Sequence, residues 1–269
     1  MPNIKAVKEI GIFNVIVAAM NQSFFTLSLG LGAMAIFGSY IGKDRALMGE
    51  AVNVAVLDTF VALTAGLIIF PACFALNNGN VDAGPPLIFI TLSNVFANMG
   101  PILGRVIGGF FFLFLSFAAL STVLAVFEAI VACIMEITGW SRKKTCFIGC
   151  IGMIVLALPA ILGFNVLSGI HPLGYTPTGA TNIMDLEDFI VSNCLLPLGS
   201  LVFVLYCTWS KRGWGWKKFT EEANTGKGLK VPSWLYGYCK YILPIVILFL
   251  FAFGIYGIVT TNTFTPPAA

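Results

Sequence analysis

Residues 10–41 read IGIFNVIVAAMNQSFFTLSLGLGAMAIFGSYI and contain no charged side chain. As one straight helix they would extend about 48 Å, whereas the hydrocarbon core of a membrane is roughly 30 Å thick. Hydroxyl, amide and glycine residues are concentrated in the middle, from Asn21 to Gly32, between two apolar flanks. Unpaired backbone is tolerated at membrane depth only where it faces protein or a polar cavity. The pattern therefore predicts a helix that is broken at its centre and presents polar groups to a ligand.

The composition of the whole chain indicates a membrane protein. Of its 269 residues, 58% are hydrophobic and only 10% are charged. A soluble domain of this size has about a quarter charged residues. We therefore expect an all-α integral protein of the plasma (inner) membrane that contacts the lipid bilayer. No basic face exists outside the connecting loops, so nucleic acid is not an expected partner.

Six apolar segments are predicted to cross the membrane and to form one transmembrane domain over residues 10–260. A polar segment, 1–9, precedes this domain, and a polar tail, 261–269, follows it. The second connection is itself apolar, which predicts a short outer loop helix over about residues 85–101. The predicted spans are 10–41, 51–77, 106–137, 146–169, 189–209 and 233–260.

The distribution of lysine and arginine residues predicts the orientation, because these residues favour cytoplasmic loops. Three of them, Lys5, Lys8 and Arg105, lie on one side of the predicted membrane. Twelve lie in or beside the first, third and fifth connections, which are therefore predicted to be cytoplasmic. Both ends of a six-span chain would then lie outside, so we expect an incomplete protein whose missing N-terminal helices are needed for function. The twelve are Lys43, Arg45, Arg142, Lys143, Lys144, Lys211, Arg212, Lys217, Lys218, Lys227, Lys230 and Lys240.

A single carboxylate, Asp58, lies within the apolar run AVNVAVLDTFVALTAG of the second span. An ionised side chain at membrane depth costs about 3 kcal/mol or more unless it is paired, hydrated or protonated. Asp58 is therefore a candidate functional residue. Alternatively, it lies near the cytoplasmic end of the span and reaches water, or forms a structural pair.

Adjacent hydroxyls occur in the third span at Ser121 and Thr122, one turn after Ala118. Carbonyl and hydroxyl oxygens are suitable ligands for a small, hard cation such as sodium. Hydroxyls in membrane helices more often bond to the preceding turn or to a neighbouring helix. On the residues alone this structural role is favoured, and Glu128 is likewise expected to bond to a neighbouring helix.

Residues that could carry out enzyme catalysis do not form a recognisable pattern. His171 is the only histidine, and no second base or metal ligand accompanies it. Asp185, Glu187 and Asp188 precede the fifth span, where acidic residues suit a helix N-terminus. Zinc-protease, phosphate-loop and cysteine metal motifs are absent from the sequence. We do not expect an enzyme.

Three sequence motifs, in this order and spacing, resemble the neurotransmitter:sodium symporter family, which includes bacterial sodium-dependent amino-acid transporters. They are NQSFFTLSLGLGAMAIFGSY (21–40), GPPLIFITLSNVFANM (84–99) and FAALST (117–122). The resemblance covers about residues 10–260 and corresponds to helices six to eleven of the family. It implies a leucine-transporter-like bundle of inverted repeats, in which broken helices carry the binding sites.

The resemblance also implies functional residues. Phe25 corresponds to the aromatic lid over the substrate, and Leu31 to a position that lines the substrate pocket. Thr26 also corresponds to a ligand of the first sodium, and Ala118, Ser121 and Thr122 to ligands of the second. The full set of implied substrate-binding residues is Phe25, Thr26, Ser28, Leu31, Thr122, Val123 and Val126.

Two further correspondences concern the outer gate and the ions. Gln22 and Asp188 match gate residues. Asp58 takes the place of an asparagine that binds the first sodium in many members, and Ala62 replaces a residue that relatives use to hold chloride or to substitute for it. A carboxylate beside the first sodium can supply the negative charge itself, so chloride is not expected to be required.

Together these features predict sodium-coupled symport of an amino acid or a related small amine by a protein of which this chain is the C-terminal portion. The aliphatic Leu31 favours an apolar amino acid. A second possibility is a non-transporting fragment, or a half that needs a partner chain. A channel or a membrane enzyme is a third possibility.

Overall fold

The computed structural model describes residues 11–76, 87–176, 179–209, 211 and 213–261. The predicted polar segment 1–9, most of the predicted tail, and the first two residues of the predicted outer loop helix lie outside these ranges. The described chain is helical apart from one antiparallel hairpin, in which β1 (Tyr175–Thr176) pairs with β2 (Gly179–Ala180).

Eleven α-helices and three π-helical segments are found in the described residues. The π-helical segments are Leu87–Thr91, Ile190–Leu195 and Tyr238–Ile242; each leads directly into the α-helix that follows it. The α-helices are α1 (Ile12–Thr26), α2 (Ala33–Tyr40), α3 (Leu47–Leu76), α4 (Leu92–Asn98), α5 (Leu103–Thr138), α6 (Arg142–Gly163), α7 (Ile183–Phe189), α8 (Leu196–Thr208), α9 (Trp216–Ala223), α10 (Leu235–Gly237) and α11 (Leu243–Thr261).

Among the residues that the structure describes, five helical stretches are long and apolar enough to cross a membrane. The predicted first span, in contrast, consists of the two shorter helices α1 and α2. Apolar side chains on the long helices are strongly exposed: Leu67 is 77% and Leu156 74% exposed. Such surfaces are unfavourable in water and suit contact with lipid. The five stretches are Leu47–Pro71, Leu103–Thr138, Arg142–Gly163, Ile183–Thr208 and Leu235–Ile258.

The fourth and fifth predicted spans begin earlier in the structure than the apolar runs suggested. Helix α6 begins at Arg142 rather than at residue 146, because arginine and lysine are good helix formers and extend the helix beyond its apolar part. Helix α7 begins at Ile183 rather than at residue 189. There the Asn182 side chain accepts a hydrogen bond from the Asp185 backbone N–H (3.0 Å), and the Asp185 carboxylate accepts one from the Asn182 N–H (2.7 Å). This reciprocal capping box starts the helix within a polar segment.

The described chain divides into two compact units, one formed by Met1–Glu50 with Ala129–Ala269 and the other by Ala51–Glu128. In the first unit, α1, α8 and α11 pack around a buried cluster of Val17, Phe24, Leu196, Ile247 and Leu250. In the second unit, the outer-loop helix α4 packs on α5. The ring of Phe96 contacts the rings of Phe111 and Phe112, and Gly104 and Gly108 allow this close approach.

The first and fifth connections meet within the first unit. The Ala46 N–H donates to the Lys227 carbonyl (3.0 Å), and the Lys227 N–H donates to the Asp44 carbonyl (2.8 Å). Gly226, with φ +86°, lies directly against the backbone of Asp44. These two connections therefore lie on the same side of the helices, as their predicted cytoplasmic placement requires.

Candidate functional site

A non-helical segment, Leu27–Gly32, separates α1 from α2. We call this segment, in which the helix is interrupted but the chain is continuous, the interruption. Ser28 has φ +49° and is the only residue other than glycine with positive φ in the described part of the chain. Gly30 and Gly32 have φ +87° and +78°, a conformation that glycine adopts without a steric penalty. For a serine the left-handed conformation costs about 1–2 kcal/mol. The backbone of this segment is therefore held in an unfavourable conformation, as is common at binding sites.

Consecutive carbonyl oxygens are left without a backbone donor at the interruption. The N–H groups of Leu27 and Ser28 still bond to the end of α1, at Ser23 (3.2 Å) and Phe25 (3.0 Å). The carbonyls from Thr26 to Leu31, however, which include those of Thr26, Leu27 and Ser28, receive no backbone N–H from any described residue. Unpaired carbonyl oxygens at a helix end carry partial negative charge. They are suitable ligands for a cation.

The interruption packs against α8 and borders a cavity of about 420 Å³. Phe24, Leu29 and Phe203 are among its lining residues, which are mainly apolar. Ser200 also lines it and is 8% exposed. Neither Ser200 nor its neighbour Gly199 was among the predicted site residues, although small residues such as this Gly-Ser pair in an apolar helix indicate a close approach of backbones.

The predicted substrate-binding residues are distributed over both units. Four of them lie at the interruption, where Phe25 is 51% and Leu31 41% exposed. The other three lie on consecutive turns of α5 in the second unit, where Val123 is 51% exposed. The first set is Phe25, Thr26, Ser28 and Leu31, and the second is Thr122, Val123 and Val126.

The three predicted ligands of the second sodium converge on one point in the second unit. The Ser121 Oγ donates to the Ala118 carbonyl (2.8 Å), and the Thr122 Oγ1 donates to the same carbonyl (3.1 Å). All three residues are exposed. Each hydroxyl oxygen keeps lone pairs that can still bind a cation. The arrangement suits both a sodium site and the structural back-bonding that the residues alone favoured.

Asp58 lies in the interior of the long helix α3, eleven residues after its first residue. At the rise of an α-helix this is roughly 16 Å along the axis, about half the thickness of the hydrocarbon core. Its side chain is half-buried and has no hydrogen-bond or ion-pair partner among the described residues. A structural pair, one of the alternatives left open by the sequence, is therefore not seen in this part of the chain.

The predicted gate residues, Gln22 and Asp188, both lie in the first unit, on α1 and α7. Both side chains are exposed. The Asp188 carboxylate accepts a hydrogen bond from the Ser192 hydroxyl (2.9 Å). Asp185, in contrast, is used in the capping box at the start of α7.

The described ranges contain no group of three or more histidine, cysteine, aspartate or glutamate side chains that could hold a metal ion. His171 donates from Nδ1 to the Thr181 carbonyl (2.7 Å) and its ring packs at a tilt against Tyr175, a structural role beside the hairpin. The first unit therefore offers carbonyl oxygens at the interruption, and the second unit offers separately the hydroxyl and carbonyl oxygens of α5 and the carboxylate of Asp58. Oxygen donors of these kinds suit sodium.

The chain is similar in sequence to known proteins of one family. The model of the sodium:neurotransmitter symporter family matches residues 2–268. The chain is 32% identical over 237 residues to the uncharacterised sodium-dependent transporter YhdH of Bacillus subtilis, covering 88% of this chain and 50% of that protein. It is 30% identical over 233 residues to an uncharacterised sodium-dependent transporter of Haemophilus influenzae, covering 86% and 48%.

A solved structure has a similar fold. The crystal structure of MhsT in complex with L-phenylalanine matches with a TM-score of 0.75 and 38% identity, over 89% of this chain and 52% of that chain. The chain thus spans about half the length of the curated relatives it matches.

Proposed function

Because the chain belongs to the sodium:neurotransmitter symporter family, we propose that it forms the C-terminal portion of a sodium-coupled amino-acid symporter. The family consists of secondary transporters rather than enzymes, and the chain is a multi-pass membrane protein. Dependence on sodium follows from the family and from the named relatives. The interruption with its free carbonyls carries the proposal, because unpaired backbone within an apolar stretch is tolerated at membrane depth only where it faces protein or a polar cavity.

The proposed substrate is an apolar amino acid. In this proposal Leu31, Val123 and Val126 contribute aliphatic side chains, and Phe25 contributes an aromatic one. The crystallised relative MhsT was solved with L-phenylalanine, which supports a substrate of this class. In our proposal, the amide groups of the interruption and the hydroxyls of Thr26 and Ser28 bind the polar end of the substrate.

Two sodium sites are proposed. Thr26 and Asp58 contribute to the first, and Ala118, Ser121 and Thr122 contribute to the second. The convergence of two hydroxyls on the Ala118 carbonyl supports the second site, because it holds three oxygens close together before any ion binds. Since Asp58 brings its own negative charge, the proposed transporter does not require chloride.

We further propose that α1 and α2 together form one broken span, which makes six spans in all. Sodium bound at the break would favour the state that is open to the outside, and release on the inside would complete the cycle. An ion can drive this change only if it binds one state more tightly than the other. Gln22 and Asp188 are the proposed gate on the outer side.

The chain is proposed to act together with helices that are not among its 269 residues, because the matched region makes up only 50% and 48% of two curated relatives. Membrane vesicles from cells that express the gene in its native chromosomal context test the transport function. They are compared with vesicles from cells in which codons 11–261 are deleted. We expect sodium-driven accumulation of a radiolabelled apolar amino acid in the first and its loss in the second. Equal accumulation in both would refute the proposal.

Proteoliposomes containing only the 269-residue chain test its incompleteness separately. We expect no sodium-driven accumulation in them. Accumulation by the chain alone would leave the transport function intact and would disprove the need for further helices.

A further inference from the structure

Two glycines, Gly30 in the interruption and Gly199 in α8, allow the backbones of these two segments to lie in direct contact. A Cβ atom at Gly199 of α8 would lie 2.2 Å from the carbonyl oxygen of Gly30 in the interruption. A Cβ atom at Gly30 would in turn lie 2.3 Å from the Leu196 carbonyl oxygen and 2.7 Å from the Ser200 nitrogen. Real Cβ atoms essentially never come within 3.0 Å of a heavy atom outside their own residue and its chain neighbours. Neither position accepts a side chain unless the two segments separate.

We infer that Gly199 is a positioning residue for the proposed sodium and substrate site, an inference that rests on the proposed function. The free carbonyls of Thr26, Leu27 and Ser28 precede Gly30 by two to four residues. The contact of Gly30 with α8 therefore sets the location of these oxygens relative to the helix. Ligand oxygens must be held within a fraction of an ångström of the productive geometry, and a contact between two backbones is stiffer than one between flexible side chains.

The side chain next to Gly199 gives independent support. Ser200 is 92% buried, and its hydroxyl has no hydrogen-bond partner among the described residues. The hydroxyl lies 2.9 Å from the position of a Gly30 Cβ. A buried hydroxyl without a partner costs about 1–3 kcal/mol. The close approach is thus kept at a cost in stability, which is typical of functional contacts.

The stability of α8 itself does not explain a glycine at this position. In a helix interior alanine is more favourable than glycine by about 1 kcal/mol. Gly199→Ala should therefore strengthen α8 while it displaces the interruption. To raise the separation from 2.2 Å to 3.0 Å, the Gly30 carbonyl must move by at least 0.8 Å.

Gly199→Ala is introduced at the native locus, and amino-acid uptake into membrane vesicles is measured against sodium concentration. A displacement of about 1 Å at a binding site can change function by a factor of roughly 100. We expect the half-saturating sodium concentration to rise by about tenfold or more on this basis. Gly257→Ala in α11 is the matched control, because a Cβ there meets nothing within 4 Å; it should keep the wild-type value.

A purely structural role would lower the amount of active protein and the maximal rate, and would leave the half-saturating sodium concentration unchanged. That result in Gly199→Ala would overturn the inference. If this variant does not accumulate, Ser200→Val, which enlarges the side chain beside Gly30, takes its place and should shift the sodium dependence in the same direction. An unshifted dependence would then count against the inference.

Hydrogen exchange of the protein purified from cells that express the gene at its native locus separates this inference from the proposed function, because it needs no transport. We expect faster exchange of the amides of residues 27–36 in Gly199→Ala than in the wild type or in Gly257→Ala. Unchanged exchange would overturn the inference. Vesicles of the wild type that show no sodium-driven uptake would refute the proposed function instead.

Discussion

The hydroxyls of α5 allow a sharp distinction between an ion ligand and a structural hydrogen bond. Thr122 and Ser116 are both exposed on this helix, and each donates to the carbonyl four residues earlier, at 3.1 Å and 2.7 Å. As structural bonds they are therefore equivalent, and the loss of either should change stability by no more than about 0.5 kcal/mol. Only Thr122 shares its acceptor, the Ala118 carbonyl, with a second hydroxyl, that of Ser121.

Replacement of Thr122 by valine removes the hydroxyl while it keeps the shape of the side chain. A hydrogen bond or dipole contact to a charged group is worth about 1.5–3 kcal/mol, which corresponds to roughly a 10- to 150-fold change in affinity. We expect Thr122→Val to raise the half-saturating sodium concentration for uptake into membrane vesicles by about this factor. Ser116→Ala should leave it unchanged.

Immunoblots of the vesicles ensure that equal amounts of protein are compared. Equal sodium dependence in wild type, Thr122→Val and Ser116→Ala would show that the α5 hydroxyls are structural. A similar shift in both variants would also refute the assignment, because the site would then have no special relation to Thr122.

Three further predictions concern other parts of the chain. Asp58→Asn removes the proposed fixed charge, and uptake should become either dependent on chloride or undetectable; sodium-driven uptake without chloride, at the wild-type rate, would contradict the assigned role. Asn182→Ala removes one half of the capping box, and we expect a loss of about 1 kcal/mol of stability, measured as a lower unfolding temperature in detergent. Gly226→Ala places a Cβ 2.4 Å from the Asp44 backbone, and cleavage by trypsin after Lys227 should become faster; an unchanged rate would show that the connections do not depend on this contact.

The sequence predicted the membrane class and the family because both depend on local patterns. Apolar runs of sufficient length and the motifs around Asn21–Tyr40 are visible without a structure, and the family assignment was confirmed. Serine and glycine residues also pointed to the centre of the first apolar stretch, where the structure has its interruption over Leu27–Gly32. A pattern of residue types can indicate such a region, but the individual dihedral angles decide where each helix ends.

Contacts between distant residues were not predictable in this way. Gly30 and Gly199 are separated by most of the chain, and nothing in either local sequence identifies the other as its partner. The start of α7 at Ile183 was not predicted for a different reason. Apolar periodicity detects the apolar part of a helix, whereas α7 begins at a polar capping box formed by Asn182 and Asp185. The contact between residues 44–46 and 226–227 is made by backbone atoms, which sequence patterns do not distinguish.

This last contact has a consequence for how the gene can change over time. Two hydrogen bonds between main-chain atoms and a glycine in a left-handed conformation join the loops around Ala46 and Lys227. Most side-chain replacements leave such bonds intact, because only main-chain atoms form them. A change in the length of either loop does not, because one inserted or deleted residue would move both N–H donors away from their carbonyl acceptors. Point mutations in these loops at positions other than Gly226 should therefore accumulate freely, whereas insertions and deletions should be tolerated only when they occur outside residues 44–46 and 226–227.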